Sequence, residues 1–165
     1  MKNKPLIYNS DIEALSEKSS ITPDEMLLFP LHNALETNIQ QICHNLFKRL
    51  AFDLECKYKK KVAEFIQIDN GGSAKSSTRL RKFCEGTKSG FCDTEILLGN
   101  GKQTKNIYVE FKKIDEPKKV VIKKKQQYYH DWLNSIGFEA HITNNPLYFR
   151  EVILKSVRDF YDIKK

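Results

Sequence analysis

The sequence predicts an α/β domain whose elements follow the order α-β-β-β-α-β-α. Between residues 31 and 51, apolar side chains recur at three- and four-residue steps, which is typical of an amphipathic helix. Two runs rich in branched and aromatic residues flank a polar turn at residues 99–105, and this pattern predicts a β-hairpin. Helical spacing over residues 129–136 and alternation over residues 138–143 then add a helix and a strand.

The first 30 residues are predicted to form an N-terminal arm or short helices. One short helix is expected at about residues 11–18. A second begins with Thr22 as N-cap and Pro23 at its first position, and Pro30 limits it to a turn or two. The apolar residues of this segment are candidates for a dimer interface: Leu6, Ile7, Met26, Leu27, Leu28 and Phe29.

Local signals place the remaining elements. Residues 62–68 are expected to form a strand, because the turn sequence Asp69-Asn-Gly-Gly72 follows them. Gly137 is a suitable stop for the helix before it. A last helix is predicted to start at Asn144 or Asn145, with Pro146 in its first turn, and to run to about residue 161.

The composition is that of a basic globular protein. The 165 residues suffice for one compact domain, and 40% apolar with 30% charged residues is ordinary for such a domain. The net charge of +7 and the pI of about 9.1 favour a polyanionic partner.

Cysteine usage and hydropathy indicate the compartment. Cys43, Cys56, Cys84 and Cys92 form no Cys-x-x-Cys pair, and residues 1–20 do not resemble a secretory signal. The longest apolar runs fall short of the roughly 18 residues that a membrane span requires. We therefore expect a cytoplasmic protein that does not contact a membrane, in the nucleoid or another compartment that contains DNA.

The tripeptide Glu110-Phe111-Lys112 is the strongest candidate for a functional site. Side chains alternate along a strand, so Glu110 and Lys112 point to one side and Phe111 to the other. Antiparallel pairing brings Asp93 level with that side. Two carboxylates and an ammonium that are partly desolvated need a neutralising cation, and a hard ion such as Mg²⁺ suits oxygen ligands. The alternative is a solvated surface salt bridge, which contributes little.

Longer patterns around this tripeptide carry a family resemblance. They are Gly86-x-x-x-Gly90-x-x-Asp93, Val109-Glu110-Phe111-Lys112, Gln126 followed by Leu133 and Gly137, and Glu36-Thr-Asn-Ile39-Gln40. Together these segments resemble the PD-(D/E)xK nuclease superfamily and, within it, the VRR-NUC (virus-type replication-repair nuclease) domains. The family commonly has proline before the aspartate, whereas this chain has Cys92.

The resemblance implies a fold and an activity for residues 31–165. The expected fold is a restriction-endonuclease-like α/β core with a mixed β-sheet flanked by helices. The family's domains cut DNA with the help of a metal, and small stand-alone members are similar to Holliday-junction resolvases that act as dimers. We therefore expect a homodimeric endonuclease that acts on branched DNA with Mg²⁺, for which Mn²⁺ can substitute.

The resemblance also implies residue roles. Asp93 and Glu110, assisted by Glu36, would hold one or two magnesium ions, with the Phe111 carbonyl oxygen as a further ligand. Lys112 would contact the attacking water or the scissile phosphate. Gln126 would orient water or phosphate, and it fits the family register better than Gln127.

Basic residues are predicted to bind DNA phosphates without reading sequence. One group lies in the polar loop before Asp93: Lys75, Arg79, Arg81 and Lys88. Another lies before and at the start of the helix after the hairpin: Lys118, Lys119, Lys123, Lys124 and Lys125. On that helix, Tyr128 and Trp132 have helical spacing, which favours a place in the core over base stacking.

Three alternatives to this nuclease remain open at the level of sequence. The first is a catalytically silent DNA-binding protein on the same fold, and the second is a restriction-type nuclease. The third is an interaction protein whose basic face binds an acidic protein. Retention of Asp93, Glu110 and Lys112 favours catalysis, and the lack of a separate recognition domain favours structure-selective cutting.

Overall fold

Four strands form one sheet with helices on both sides. The computed structural model describes residues 1–59, 61–68 and 91–161. The α-helices are α1 (Asn9–Ser16), α2 (Pro23–Met26), α3 (Glu36–Tyr58), α4 (Lys124–Ser135), α5 (Pro146–Tyr148) and α6 (Leu154–Phe160). The strands are β1 (Ala63–Gln67), β2 (Thr94–Gly99), β3 (Thr104–Phe111) and β4 (Glu139–Thr143). Two 3₁₀ turns (Phe29–Leu31 and Pro117–Lys119) and a π-helical stretch (Phe149–Ile153) are the other elements among the described residues.

The sheet is mixed. Its strand order is β1-β2-β3-β4, with antiparallel pairing of β1 with β2 and of β2 with β3. β4 runs parallel to β3, because α4 carries the chain back across the sheet between them. The α/β class with a mixed sheet flanked by helices is therefore confirmed, as is the hairpin of β2 and β3.

Different helices cover the two faces of the sheet. Ile96 of β2 and Ile107 of β3 are fully buried in the main core, to which α3 contributes Phe47. On the opposite face, Leu133 of α4 packs with Ala140 in a smaller cluster. Since Phe111 belongs to the main core, its neighbours on β3 and just after it point toward the face that α4 covers.

The long helix starts later than the sequence predicts. Leu31 lies in a 3₁₀ turn, Leu35 is an exposed N-cap residue, and α3 begins at Glu36. The physical reason is Asn33, whose φ of 58° places it in the left-handed region that an α-helix cannot accommodate. The helix also continues to Tyr58, seven residues beyond the predicted end, and stops at the left-handed Lys59.

The N-terminal segment is part of the main core. Short helices α1 and α2 are present as predicted, and Thr22 caps α2 by accepting a hydrogen bond from the Glu25 backbone N–H. Ile7 and Leu28 are fully buried, whereas Met26 and Leu27 remain 59% and 50% exposed. Dimerisation through this segment stays a prediction, and the exposed Met26 and Leu27 are the apolar residues available for the interface.

Asn144 fastens the N-terminal segment to the end of β4. The side chain is fully buried and accepts a hydrogen bond from the Ile7 N–H at 2.7 Å. Its amide donates to the Ile7 carbonyl at 2.8 Å and to the Lys113 carbonyl at 3.0 Å. Asn145 is the N-cap of α5, so the adjacent asparagines serve different elements.

The helix termini after the hairpin follow the predicted signals. Gly137 takes a φ of 91° next to Ile136, the C-cap of α4, and Pro146 is the first residue of α5. The last predicted helix is interrupted by the π-helical stretch and ends at Phe160. Within residues 1–59, 61–68 and 91–161, no helix is both long enough and apolar enough to cross a membrane.

Replacing Asn144 with alanine is expected to destabilise the fold by about 3 kcal/mol, because two buried carbonyls and one buried N–H lose their partner. Urea denaturation of the full chain measures this change. Asn45→Ala, at an exposed position of α3, is the matched control and is expected to shift stability by less than about 0.5 kcal/mol. Equal stability of the two variants would contradict the role of Asn144.

Candidate active site

Asp93 is held at the point where β2 begins. The register pairs Thr94 with Val109, so Asp93 stands opposite Glu110. Its Oδ2 atom accepts a hydrogen bond from the Phe111 N–H at 3.0 Å. Its backbone carbonyl accepts from the Ile68 N–H at 2.7 Å. Bonds to both neighbouring strands therefore fix the position of this carboxylate.

Glu110 is the most buried carboxylate of the site, with 2% of its surface exposed. Its Oε1 atom accepts hydrogen bonds from Lys112 Nζ at 2.5 Å and from Gln126 Nε2. The Oε2 atom is also buried, and no described residue donates a hydrogen bond to it. Such an unpaired buried oxygen costs about 1–3 kcal/mol, more when it is charged.

Burial and the neighbouring Asp93 charge raise the pKa of Glu110 to about 7, although the hydrogen bond from Lys112 opposes this shift. The carboxyl group of Glu110 therefore keeps its proton to a higher pH than an ordinary glutamate does. The same surroundings raise the pKa of the buried Cys92 thiol to about 12, through burial first and then the Glu110 and Asp93 charges. Cys92 therefore remains a neutral thiol and fills space beside Leu133 and Ala140.

Lys112 links the buried carboxylate to α3. Its ammonium group lies 2.5 Å from Glu110 Oε1 and 3.6 Å from Glu36 Oε1. The backbone N–H of Lys112 donates to the Thr143 carbonyl at 3.0 Å, which anchors the residue to β4. Glu36, the first residue of α3, has a side chain that is 52% exposed.

The donor set fits a cation held by few protein ligands. No group of three or more His, Cys, Asp and Glu side chains in the described parts of the chain is arranged to hold a metal. Magnesium, however, is usually bound by one or two carboxylates and keeps several waters. Asp93 and the unpartnered Glu110 Oε2 supply two carboxylates, whereas the Lys112 ammonium stands between Glu110 and Glu36.

A backbone oxygen completes this set. The N–H and C=O of one strand residue point to the same edge, as in the hydrogen-bonded pairs of an antiparallel ladder. Since the Phe111 N–H points to Asp93, the Phe111 carbonyl faces the same side. Asp93, Glu110 and the Phe111 carbonyl are therefore the candidate ligands, and Glu36 is a candidate for a more distant position.

Gln126 reaches the site from the first turn of α4. Its amide nitrogen contacts Glu110, and its Oε1 accepts a hydrogen bond from the Lys123 N–H at 3.0 Å. Gln127 instead donates to Asp131 at 2.7 Å on the exposed side of the helix. The structure therefore brings Gln126, and not Gln127, to the carboxylates.

The second lysine group lies next to Gln126 along the chain. All five side chains are exposed: Lys118, Lys119, Lys123, Lys124 and Lys125. Lys119 pairs with Asp115 at 3.4 Å. The other predicted DNA-binding residues, Lys75, Arg79, Arg81 and Lys88, lie outside the described residues, as do Gly86 and Gly90.

Sequence reasoning missed two features of the surroundings. The Gln40 amide donates to Thr94 Oγ1 at 3.0 Å, so the first turns of α3 are tied to the start of β2. The sequence did offer one signal for this contact, because Gln40 belongs to the Glu36-x-x-Ile39-Gln40 pattern. The predicted burial of Tyr128 and Trp132 is wrong: they are 63% and 43% exposed, because Leu133 is the residue of α4 that turns to the core.

The raised pKa of Glu110 predicts a pH-dependent gain for Glu110→Gln. Because the folded-state pKa of about 7 exceeds the ordinary value of 4.5, wild-type stability falls as pH rises through this window. Glutamine cannot ionise, so the free energy of unfolding of the variant relative to wild type should rise by about 3 kcal/mol between roughly pH 4 and pH 9. Denaturation in metal-free buffer measures it.

Glu17→Gln, at an exposed position after α1, is the matched control for the substitution itself. A difference between Glu110→Gln and wild type that stays constant over the whole pH range would contradict the raised pKa.

Comparison with known proteins adds no relative. The chain matches no protein-family model, and neither a curated protein nor a solved structure is significantly similar to it. The resemblance to VRR-NUC domains therefore rests on the motif residues of the sequence and stays a prediction.

Proposed function

We propose that this chain is a magnesium-dependent DNA endonuclease with a restriction-endonuclease-like core of the VRR-NUC type. The observation that carries the proposal is the convergence of Asp93, Lys112 and Gln126 on the buried carboxylate of Glu110, one oxygen of which lacks a hydrogen-bond donor. A buried charge in this state is costly, and a cation removes the cost. Buried carboxylates with perturbed pKa values cluster at functional sites.

Asp93, Glu110 and the Phe111 carbonyl hold the cation in this proposal. When bound, Mg²⁺ or Mn²⁺ supplies Lewis acidity at the scissile phosphate and favours ionisation of water there. The carboxylates would hold the cation, and their hydrogen bonds to the Phe111 N–H, Lys112 and Gln126 keep them in place without reorganisation. Glu36, at the exposed edge of the site, would assist from further away, next to Lys112.

Lys112 supplies positive charge where negative charge accumulates. Its ammonium has three donors, of which Glu110 takes one and Glu36 lies near another. The remaining capacity serves a phosphate oxygen or the attacking water. Gln126 donates a hydrogen bond to Glu110 and so sets the orientation of this carboxylate. In the absence of substrate, Gln126 is therefore a positioning residue.

The proposed substrate is branched DNA cut by a homodimer. The lysines near Gln126 can hold phosphates of any sequence, which suits recognition of DNA shape. A symmetric dimer would place two equivalent sites on a symmetric junction. The exposed Met26 and Leu27 are the proposed contact between the subunits.

A catalytically silent DNA-binding protein is the second candidate. The observation in its favour is that the described residues contain no group of three metal-ligating side chains. In that case the Lys112–Glu110 pair is structural, and the basic surface alone carries the function. Cleavage, and not DNA binding, distinguishes the two candidates.

Cleavage of labelled four-way junction, flap, duplex and single-stranded DNA tests the proposal. Wild type is expected to cut the junction in Mg²⁺ or Mn²⁺ and not in EDTA. Asp93→Asn keeps an acceptor for the Phe111 N–H but loses the charge, so cutting should fall by at least about 100-fold, the scale of a lost electrostatic stabiliser. DNA affinity, measured in parallel, should be retained.

Asp53→Asn, at an exposed position of α3, is the matched control and should cut like wild type. Binding of all substrates without any cutting would support the silent protein. Wild-type activity in Asp93→Asn would show that the site assignment is wrong.

A further inference from the structure

Helix α4 exposes aromatic rings that its core contacts do not use. Tyr128 is 63% exposed and Trp132 is 43% exposed. They are four positions apart in the sequence, so they lie on the same side of the helix. We name these two residues, with the half-buried Tyr129 between them, the aromatic face of α4.

Contacts between rings hold the aromatic face in place. The Tyr129 ring centre lies 5.4 Å from that of Tyr128 and 6.4 Å from that of Trp132, both in edge-to-face geometry. Tyr129 also contacts Phe91 at 5.4 Å. Rings that are already ordered lose little entropy when a ligand stacks on them.

The aromatic face continues into the candidate active site. Phe91 precedes the carboxylate of Asp93 by two residues, and α4 itself carries Gln126 to Glu110. A strand that passes from the active site along α4 therefore meets Tyr129 and then the exposed rings. This continuity places a polymer substrate, rather than an unrelated ligand, on the aromatic face.

The positive charge beside the aromatic face indicates what kind of ligand binds there. Lys124 lies one turn before Tyr128 on the same side of α4, and Lys123 and Lys125 flank it. No ion pair involves these three lysines within the described part of the chain. Aromatic rings beside unpaired ammonium groups are complementary to bases joined by phosphates.

The spacing of Tyr128 and Trp132 along the axis of α4 favours unpaired bases over a duplex. At a rise of about 1.5 Å per residue, Tyr128 and Trp132 are offset by roughly 6 Å along the helix axis. Neighbouring nucleotides in one strand of a duplex are spaced by about 3.4 Å, with their bases stacked on each other. Each ring can therefore take one base of a strand that has left the duplex.

We propose that the aromatic face of α4 stacks unpaired bases of the DNA strand that leaves the active site, while Lys124 and its neighbours bind the phosphates. The inference rests on the proposed nuclease function for the identity of the polymer. It specifies the substrate further: branched DNA in which at least two nucleotides next to the cut are unpaired, as in a flap, or become unpaired when the protein binds. A second copy of this chain is the competing occupant, since Ile136 and Phe138 are also exposed nearby.

Trp132 is the single tryptophan of the chain, so intrinsic fluorescence reports directly on this face. Wild-type protein in EDTA is titrated with a short oligo(dT) and with a blunt duplex of equal phosphate number. Stacking predicts that oligo(dT) quenches the emission to saturation, whereas the duplex quenches it far less. EDTA prevents cutting, so this result does not depend on catalysis.

Affinity variants supply the second readout. Anisotropy of labelled oligo(dT) is expected to show binding about 5- to 150-fold weaker for Tyr128→Ala and for Trp132→Ala, the range for loss of one stacked base. Phe52→Ala, which removes an aromatic ring that is 65% exposed on α3, is the matched control and should bind like wild type.

Two results would overturn the inference. One is that oligo(dT) binds wild type without quenching Trp132 fluorescence, and that Tyr128→Ala and Trp132→Ala bind it with wild-type affinity. The other is a protein-concentration-dependent change in Trp132 emission without DNA, lost in Tyr128→Ala, which would assign the face to contact between copies. If the protein cleaves junctions but oligo(dT) does not quench Trp132 fluorescence, the stacking inference is wrong and the nuclease proposal stands. If oligo(dT) quenches the fluorescence but no DNA is cleaved, only the nuclease proposal is wrong.

Discussion

The buried carboxylate of Glu110 is the constraint on which the rest of the site depends. A strand residue with 2% exposure and one unpartnered oxygen would ordinarily be apolar. Lys112 offsets part of the cost at 2.5 Å, and Gln126 offsets another part from α4. Neither reaches Oε2, so the metal-free fold carries an uncompensated charge or an extra proton.

The fold delivers the partners of this carboxylate from separate elements. Antiparallel pairing sets Asp93 beside Glu110, and the parallel crossover brings the first turn of α4 onto the same face of the sheet. The left-handed Asn33 delays the start of α3, which puts Glu36 at its exposed first turn near Lys112. The candidate site thus draws on β2, β3, α3 and α4, and the hydrogen bonds of Asn144 hold the N-terminal segment against the core.

Signals within a few residues predicted most of the fold. The hairpin, the proline at the start of α2 and the glycine after α4 are local features, and each is present. The strand alternation also predicted which side Glu110 faces. Each of these features could be predicted because the residues that cause it lie within the same short stretch of sequence.

Long-range packing accounts for what the sequence did not predict. Helical spacing could not show that Leu133, and not Trp132, meets the sheet, because this depends on the angle at which α4 crosses it. It also could not show that Lys112 separates Glu36 from Glu110, or that Ile7 joins the main core. The roles in DNA cleavage depend on ligands and remain proposals.

The most direct test of the central claim is a Mg²⁺ titration of thermal stability at about pH 8, where Glu110 is largely ionised. A cation bound to the folded state at 100 times its Kd should raise the Tm of wild type by roughly 5–10 °C. Glu110→Gln should show no such rise, whereas Glu17→Gln should follow wild type. A wild-type Tm that does not respond to Mg²⁺, or an equal rise in Glu110→Gln, would contradict the claim that Glu110 holds a metal ion.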